Sequence, residues 1–159
     1  PRNLTDEELR ALAKNGGVVQ ICFLAAYIKT PPVIPEREKA MKELEAKYGN
    51  IRAIQDEAVR AKAMAEREAV NQKFPQVRAS VRDLVDHIDH VKKVVGVDYV
   101  GIGTDFDGGG GVVGCDDVSG MIHVTEELVR RGYTDREIEK IWGGNFLRVF
   151  QKVIDLAGE

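Results

Sequence analysis

The sequence has no apolar run approaching the roughly 20 residues needed to span a bilayer. Its longest, Ile21 to Ile28, fits a buried strand and its exit. It has no excess of positive charge either. Lys and Arg number 23 against 26 Asp and Glu, a net charge of −3, so the composition offers little to neutralise a phosphate backbone and nucleic-acid binding is not expected. Cysteine is scarce. Two residues, Cys22 and Cys115, are too few for a disulfide scaffold and say little about redox compartment. Cys22, inside an apolar run, reads as a reduced core residue, and Cys115, in a Gly-rich loop, as one open to exposure. Internal repeats and low-complexity linkers are absent. The chain begins at Pro1, with no charged n-region and h-region of a signal peptide. The expectation is therefore that the native start is missing, through processing or because this is a piece of a longer protein, and the compartment stays open.

What is present is the composition of one soluble globular domain, 159 residues with 43% hydrophobic and 31% charged. Leu4 to Lys14 reads as a helix: Thr5 and Glu8 form a capping box, Leu4 and Leu9 have staple spacing, and Asn15-Gly16-Gly17 stops it. Val18 to Phe23 reads as a buried strand. Pro31, Pro32 and Pro35 mark a turn before a long charged helical stretch, Glu36 to Phe74, with a stripe of Met41, Leu44, Tyr48 and Ile51 and a break at Gly49-Asn50. It reads as a solvated helical insertion, 36–75, packed by one narrow stripe. Ser80 with Asp83 starts another helix, whose face is Leu84, Ile88, Val91 and Val95, and Gly96 ends it. Tyr99 to Gly103 reads as a second buried strand and 105–117 as a Gly-rich loop. A helix follows Ser119 to Arg131, Thr134 and Glu137 form a third capping box, and after Gly143-Gly144 a last helix begins with Asn145 as its cap. Trp142 and Phe146 are assigned to the core. The alternation predicts an α/β fold with parallel strands. Two strands alone leave unpaired edges, so more strands are expected to complete the sheet.

The segment Val100-Gly-Ile-Gly-Thr-Asp-Phe-Asp-Gly108 carries most of the chemistry. A hydrophobic strand ends in two carboxylates, Asp105 and Asp107, and opens into glycines, and α/β proteins place their chemistry at the C-terminal ends of strands. A carboxylate there accepts a proton, holds an ammonium or binds a metal, and glycines let the backbone approach a ligand. Asp105 is the stronger candidate. The competing reading is a loop in which one Asp caps its own backbone. Other motifs fail: Phe106 stands where a dinucleotide fingerprint needs its third glycine, no Gly-Lys-Ser/Thr follows the glycines, and an EF-hand needs a helix where this strand lies. His87 and His90 share a helical face, but no third ligand is recognisable nearby, so a structural role is preferred for them. His123 stands alone.

The strand-end segment resembles one in the renal (membrane) dipeptidase family of zinc metallopeptidases. So do Asp86-His-Ile-Asp-His90, Arg130-Arg-Gly-Tyr133, Gly143-Gly-Asn-Phe-Leu-Arg-Val-Phe150 and the opening Pro1-Arg-Asn3 followed by a capped helix. The match covers most of the chain except the charged insertion. The resemblance implies that residues 1–159 are the C-terminal portion of a single (β/α)8 TIM-like barrel, supplying its last two strands and closing helices. It implies two zinc ions whose ligands lie upstream of Pro1, so no metal ligand is assigned in this chain.

Three positions match substrate-site residues of the family. Arg2 would clamp the terminal carboxylate of a dipeptide, a task that suits a guanidinium. Asp105 would hold the free amino group or the attacking water, with proton acceptance as a further, catalytic role. Tyr27 would lie beside the bound dipeptide. The implied activity is zinc-dependent hydrolysis of dipeptides by the intact protein, the isolated chain being inactive and needing the remainder of the barrel or a second copy of itself. The alternatives are a non-catalytic fragment or relative serving as a binding or structural module, and a lactonase or amidohydrolase on a similar barrel.

Overall fold

The computed structural model describes residues 3–158, which form two compact units: one of residues up to Thr30 together with Arg78 onward, the other Pro31–Val77.

The second unit is a helical hairpin. Helix α3 (Pro35–Tyr48) and helix α4 (Glu57–Lys73) are joined through a short 3-10 turn, Ile51–Ala53. Pro35 opens α3 at its first position, where a missing N–H costs nothing. Asp56 caps α4 by accepting from the Val59 N–H at 3.0 Å. The expected stripe is the packed one: Leu44 is buried and Met41, Tyr48 and Ile51 are half-buried, while most charged residues face water. Glu66 ties the helices by accepting from Lys47 Nζ at 2.7 Å and Tyr48 Oη at 2.8 Å.

In the first unit, helix α1 (Asp6–Lys14) starts at Thr5, whose hydroxyl accepts from the Glu8 N–H while the Glu8 carboxylate accepts from the Thr5 N–H at 2.7 Å. Helix α5 (Val81–Val95) and helix α7 (Asp135–Glu139) begin with the same reciprocal cap, at Ser80/Asp83 and Thr134/Glu137. Strands β1 (Val19–Cys22) and β2 (Val100–Gly103) pair in parallel, from Val19 opposite Val100 to Cys22 opposite Gly103. They are the only strands among the described residues. A short helix α2 (Ala25–Ile28) leaves β1, and helix α6 (Met121–Arg130) follows the Gly-rich loop. The architecture is α/β, mostly helical with few strands.

The core lies between the strands and the apolar face of α5. Leu84, Val85 and Ile88 are fully buried with Phe23, Val100, Leu128 and Ile141. Each such side chain contributes about 1.5–3 kcal/mol of burial. The polar face of α5 is also committed. The Arg131 guanidinium, just past α6, donates to Asp86 and Asp89 of α5, both at 2.6 Å, to Glu127 at 2.8 Å and to the Arg82 carbonyl. Hydrogen bonds from Arg130 and then Arg131 outweigh partial desolvation and hold the Glu127 carboxyl well below the usual range, at about 2.

The last helix departs from expectation. No break occurs at Gly143-Gly144. Residues Lys140–Gly144 form a π-helical turn that runs without interruption from α7 into helix α8 (Asn145–Ala157). Asn145 does not cap α8. It is 3% exposed, and its side-chain amide donates to the carbonyls of Val97 at 2.7 Å and Val100 at 2.8 Å, fastening α8 to the start of β2. Substituting alanine orphans two carbonyls, and Asn145→Ala is expected to cost about 1–3 kcal/mol in chemical denaturation.

Two burial assignments are also corrected. Phe146 is 47% exposed and stacks on Phe150 at 6.1 Å, because α8 is fastened through Asn145 to the Val97 and Val100 carbonyls and through Arg148 to the Gly16 and Asp98 carbonyls, which turns this face outward. Cys115 is 1% exposed rather than open, since Val112 and Cys115 exchange backbone hydrogen bonds that fold the loop back onto the core. Burial, with Asp116 and Asp117 nearby, pushes its thiol pKa up.

Candidate substrate site at the strand ends

The two strands end side by side, and pairing continues one step beyond them: the Phe23 N–H donates to the Thr104 carbonyl at 3.2 Å. The chain then reverses. Asp105 adopts φ 61°, ψ 33°, the one non-glycine residue with positive φ among those described. Asp tolerates this left-handed region better than most residues, for which it costs about 1–2 kcal/mol. The turn is over-determined. The Asp105 carbonyl accepts from the Gly108 N–H at 3.1 Å and the Gly110 N–H at 2.6 Å, and Phe106 packs edge-on against buried Phe23 at 5.9 Å. Gly111 in turn donates to the Phe23 carbonyl at 2.8 Å, returning the loop to the strand ends.

Asp105 is exposed, yet its carboxylate is positioned on both sides. The Cys22 thiol donates to Oδ2 at 3.7 Å. On the other side, Gly108 leaves room for Oδ1: a Cβ on Gly108 would come within 2.1 Å of it. Gly110 is needed for a different reason, because its Cβ would meet the backbone carbonyl oxygens of Thr104 at 2.2 Å and Asp105 at 2.6 Å. Asp107 is exposed, two residues further on.

Cys22 corrects the sequence reading. It is half-buried at the end of β1, beside a carboxylate, instead of being part of the core. Its place next to the end of the expected strand, Val18 to Phe23, was the available signal, akin to the strand-end position that marks Asp105. Tyr27 is half-buried in α2, directly after β1. Cys22 and Tyr27 line one hollow of about 240 Å³, together with Asn3, Gln20, His87 and His90. The Asn3 amide donates to the Tyr27 carbonyl at 2.8 Å and ties the chain entry to the β1–α2 turn, a contact the sequence did not announce. Arg2 lies outside the described residues.

These side chains do not suit a metal pair. His87 Nε2 is hydrogen-bonded to the Ile28 carbonyl at 2.8 Å, His90 Nε2 to Asp6 at 2.7 Å and His123 Nδ1 to the Gly114 carbonyl at 2.6 Å. The two carboxylates between and before the α5 histidines, Asp86 and Asp89, are taken by Arg131. Among the described residues no group of three or more His, Cys, Asp or Glu is arranged to hold a metal ion. No helix of the described residues is long and apolar enough to cross a membrane.

A family model described as membrane dipeptidase (peptidase family M19) matches residues 1–159. Dipeptidase ataJ of Aspergillus terreus is 34% identical over 158 residues, covering 99% of this chain and 28% of that protein. Dipeptidase 3 of Rattus norvegicus is 42% identical over 76 residues, 47% of this chain and 16% of that protein. The crystal structure of the probable dipeptidase PvdM from Pseudomonas aeruginosa superposes with a TM-score of 0.68 at 35% identity, over 92% of this chain and 40% of that one. The chain thus spans well under half the length of these relatives.

Proposed function

The chain belongs to the membrane dipeptidase family, peptidase family M19, and from that premise we propose that it is the substrate-gripping portion of an enzyme that hydrolyses dipeptides. The observation that carries the proposal is the Asp105 carboxylate, exposed at the C-terminal end of β2 and held there by a strained, hydrogen-bonded turn. Backbone strain of this kind persists where the surroundings enforce it, and it clusters at functional sites.

In this reading Asp105 takes the free ammonium of the dipeptide and serves as a proton acceptor, Arg2 takes the terminal carboxylate and Tyr27 flanks the bound substrate. One charge at each end measures substrate length, so a dipeptide fits and a longer peptide does not. Zinc is the family's expected metal, and its two ions belong to ligands outside this chain, in keeping with the commitments of His87, His90 and His123. The isolated chain is then inactive. The complete fold is a (β/α)8 barrel in which β1 and β2 are the last two strands and residues 36–75 an insertion. Two features support an incomplete barrel: a parallel pair of strands leaves outer edges unpaired, and Phe146, Leu147, Phe150, Val153 and Ile154 of α8 are exposed.

The test is turnover by the intact enzyme. Dipeptides are expected to be hydrolysed, with activity lost on chelation and regained with zinc, while lactones are left intact. Lactone turnover without dipeptide turnover would assign the barrel to the other hydrolytic class. No turnover of either substrate by the zinc-loaded protein would make it a non-catalytic relative.

A further inference from the structure

We infer that Cys22 is a positioning residue for Asp105, fixing which carboxylate oxygen faces the substrate. The inference rests on the substrate-gripping role proposed for Asp105 and deepens it.

Cys22 and Asp105 are 83 positions apart in sequence and meet only because β1 and β2 pair in register, Cys22 opposite Gly103. The thiol is itself oriented. The Leu24 N–H donates to Cys22 Sγ at 3.5 Å, so the sulfur accepts from the turn leaving β1 and spends its own proton on Asp105 Oδ2 at 3.7 Å. An S–H is a weak donor, which suits the task. It engages Oδ2 and leaves Oδ1, which has no hydrogen-bond donor among the described residues and lies over Gly108, to take a stronger, charge-assisted donor such as an ammonium. On that side Gly108 offers no Cβ. Asp105 is exposed and would otherwise exchange among side-chain conformers in solvent. A pre-set carboxylate saves that ordering cost when substrate binds.

Steady-state kinetics of the intact enzyme on one dipeptide test this, with four single variants, Cys22→Ala, Cys22→Val, Cys22→Ser and Asp105→Asn, and the double variant C22A/D105N. Removing a single weak hydrogen bond is expected to raise KM about two- to tenfold with kcat nearly unchanged, the pattern of lost uniform binding. Cys22→Val fills the volume without a donor and behaves like alanine. Cys22→Ser retains a donor and restores KM to near wild type. In the Asp105→Asn background the alanine change has little further effect on KM, because no charged oxygen is left to be turned toward the ammonium. If Cys22→Ala leaves KM unchanged while Asp105→Asn impairs binding, the positioning role is overturned and the role of Asp105 stands. If valine restores KM and serine does not, the residue acts by packing and the inference again fails. If Asp105→Asn itself is silent, the substrate-gripping reading falls and the inference with it.

Discussion

Asp105→Ala in the intact enzyme is expected to lower kcat/KM for dipeptides by about 10²-fold or more, with a stability loss no larger than the backbone cost of alanine in a left-handed turn. A hydrogen bond to a charged group is worth about 1.5–3 kcal/mol, or about 10- to 150-fold in binding, and loss of a general base costs about 10²–10⁴-fold in rate. The fold should tolerate the change, because the side chain is exposed and its one side-chain hydrogen bond among the described residues is the weak one from Cys22. Part of any stability loss comes from placing alanine at φ 61°, at about 1–2 kcal/mol. Asp105→Asn avoids that term, since asparagine also accepts the left-handed region, and it removes only the charge. Kinetics and thermal unfolding of both variants separate the two effects. Wild-type kcat/KM in Asp105→Asn would remove Asp105 from the site.

Gly108→Ala is expected to reduce kcat/KM nearly as far, although residue 108 presents no functional group. Its new Cβ would fall 2.1 Å from Asp105 Oδ1 and 2.8 Å from Cγ, far inside van der Waals contact. The obstacle is the end of an exposed side chain, so the carboxylate swings aside and the backbone stays. The fold is therefore preserved while the carboxylate is misdirected. Gly110→Ala differs in kind, because its Cβ would meet the fixed carbonyl oxygens of Thr104 and Asp105 and the turn itself must rearrange. Comparing thermal unfolding of the two variants checks the distinction. Gly108→Ala should unfold close to wild type and Gly110→Ala clearly below it. Full activity in Gly108→Ala would mean the carboxylate is not held where catalysis needs it.

Much of the fold was legible because local signals and tertiary packing agree. Thr5, Ser80 and Thr134 each pair with an acid three residues on, and each starts a helix within a residue or two of the expected place. Leu84, Ile88 and Val91 mark the buried face of α5. Legibility ended where distant partners decide. Asn145 reads as a cap, but Val97 and Val100 offer it two buried carbonyls, a better use of its two donors. The glycine pair reads as a break, but the chain passes through it in a π-helical turn. The two cysteines are effectively interchanged: Cys115 is buried by a loop that folds back, and Cys22 emerges at a strand end. Neither outcome is encoded in the neighbouring residues. Asp105 itself was legible from a strand that ends in carboxylates and glycines. Its left-handed turn, its thiol partner and the clearance at Gly108 required the register of β1 against β2.

If Asp105 grips the ammonium, it reads the amino end of the substrate. That role is tested most directly by the ratio of kcat/KM for a dipeptide to that for the same compound lacking its α-amino group, measured in wild type and in Asp105→Asn. Wild type is expected to prefer the dipeptide by about 10- to 150-fold, as a charge-assisted hydrogen bond implies, and the preference to collapse toward parity in Asp105→Asn. An unchanged preference in the variant would contradict that role.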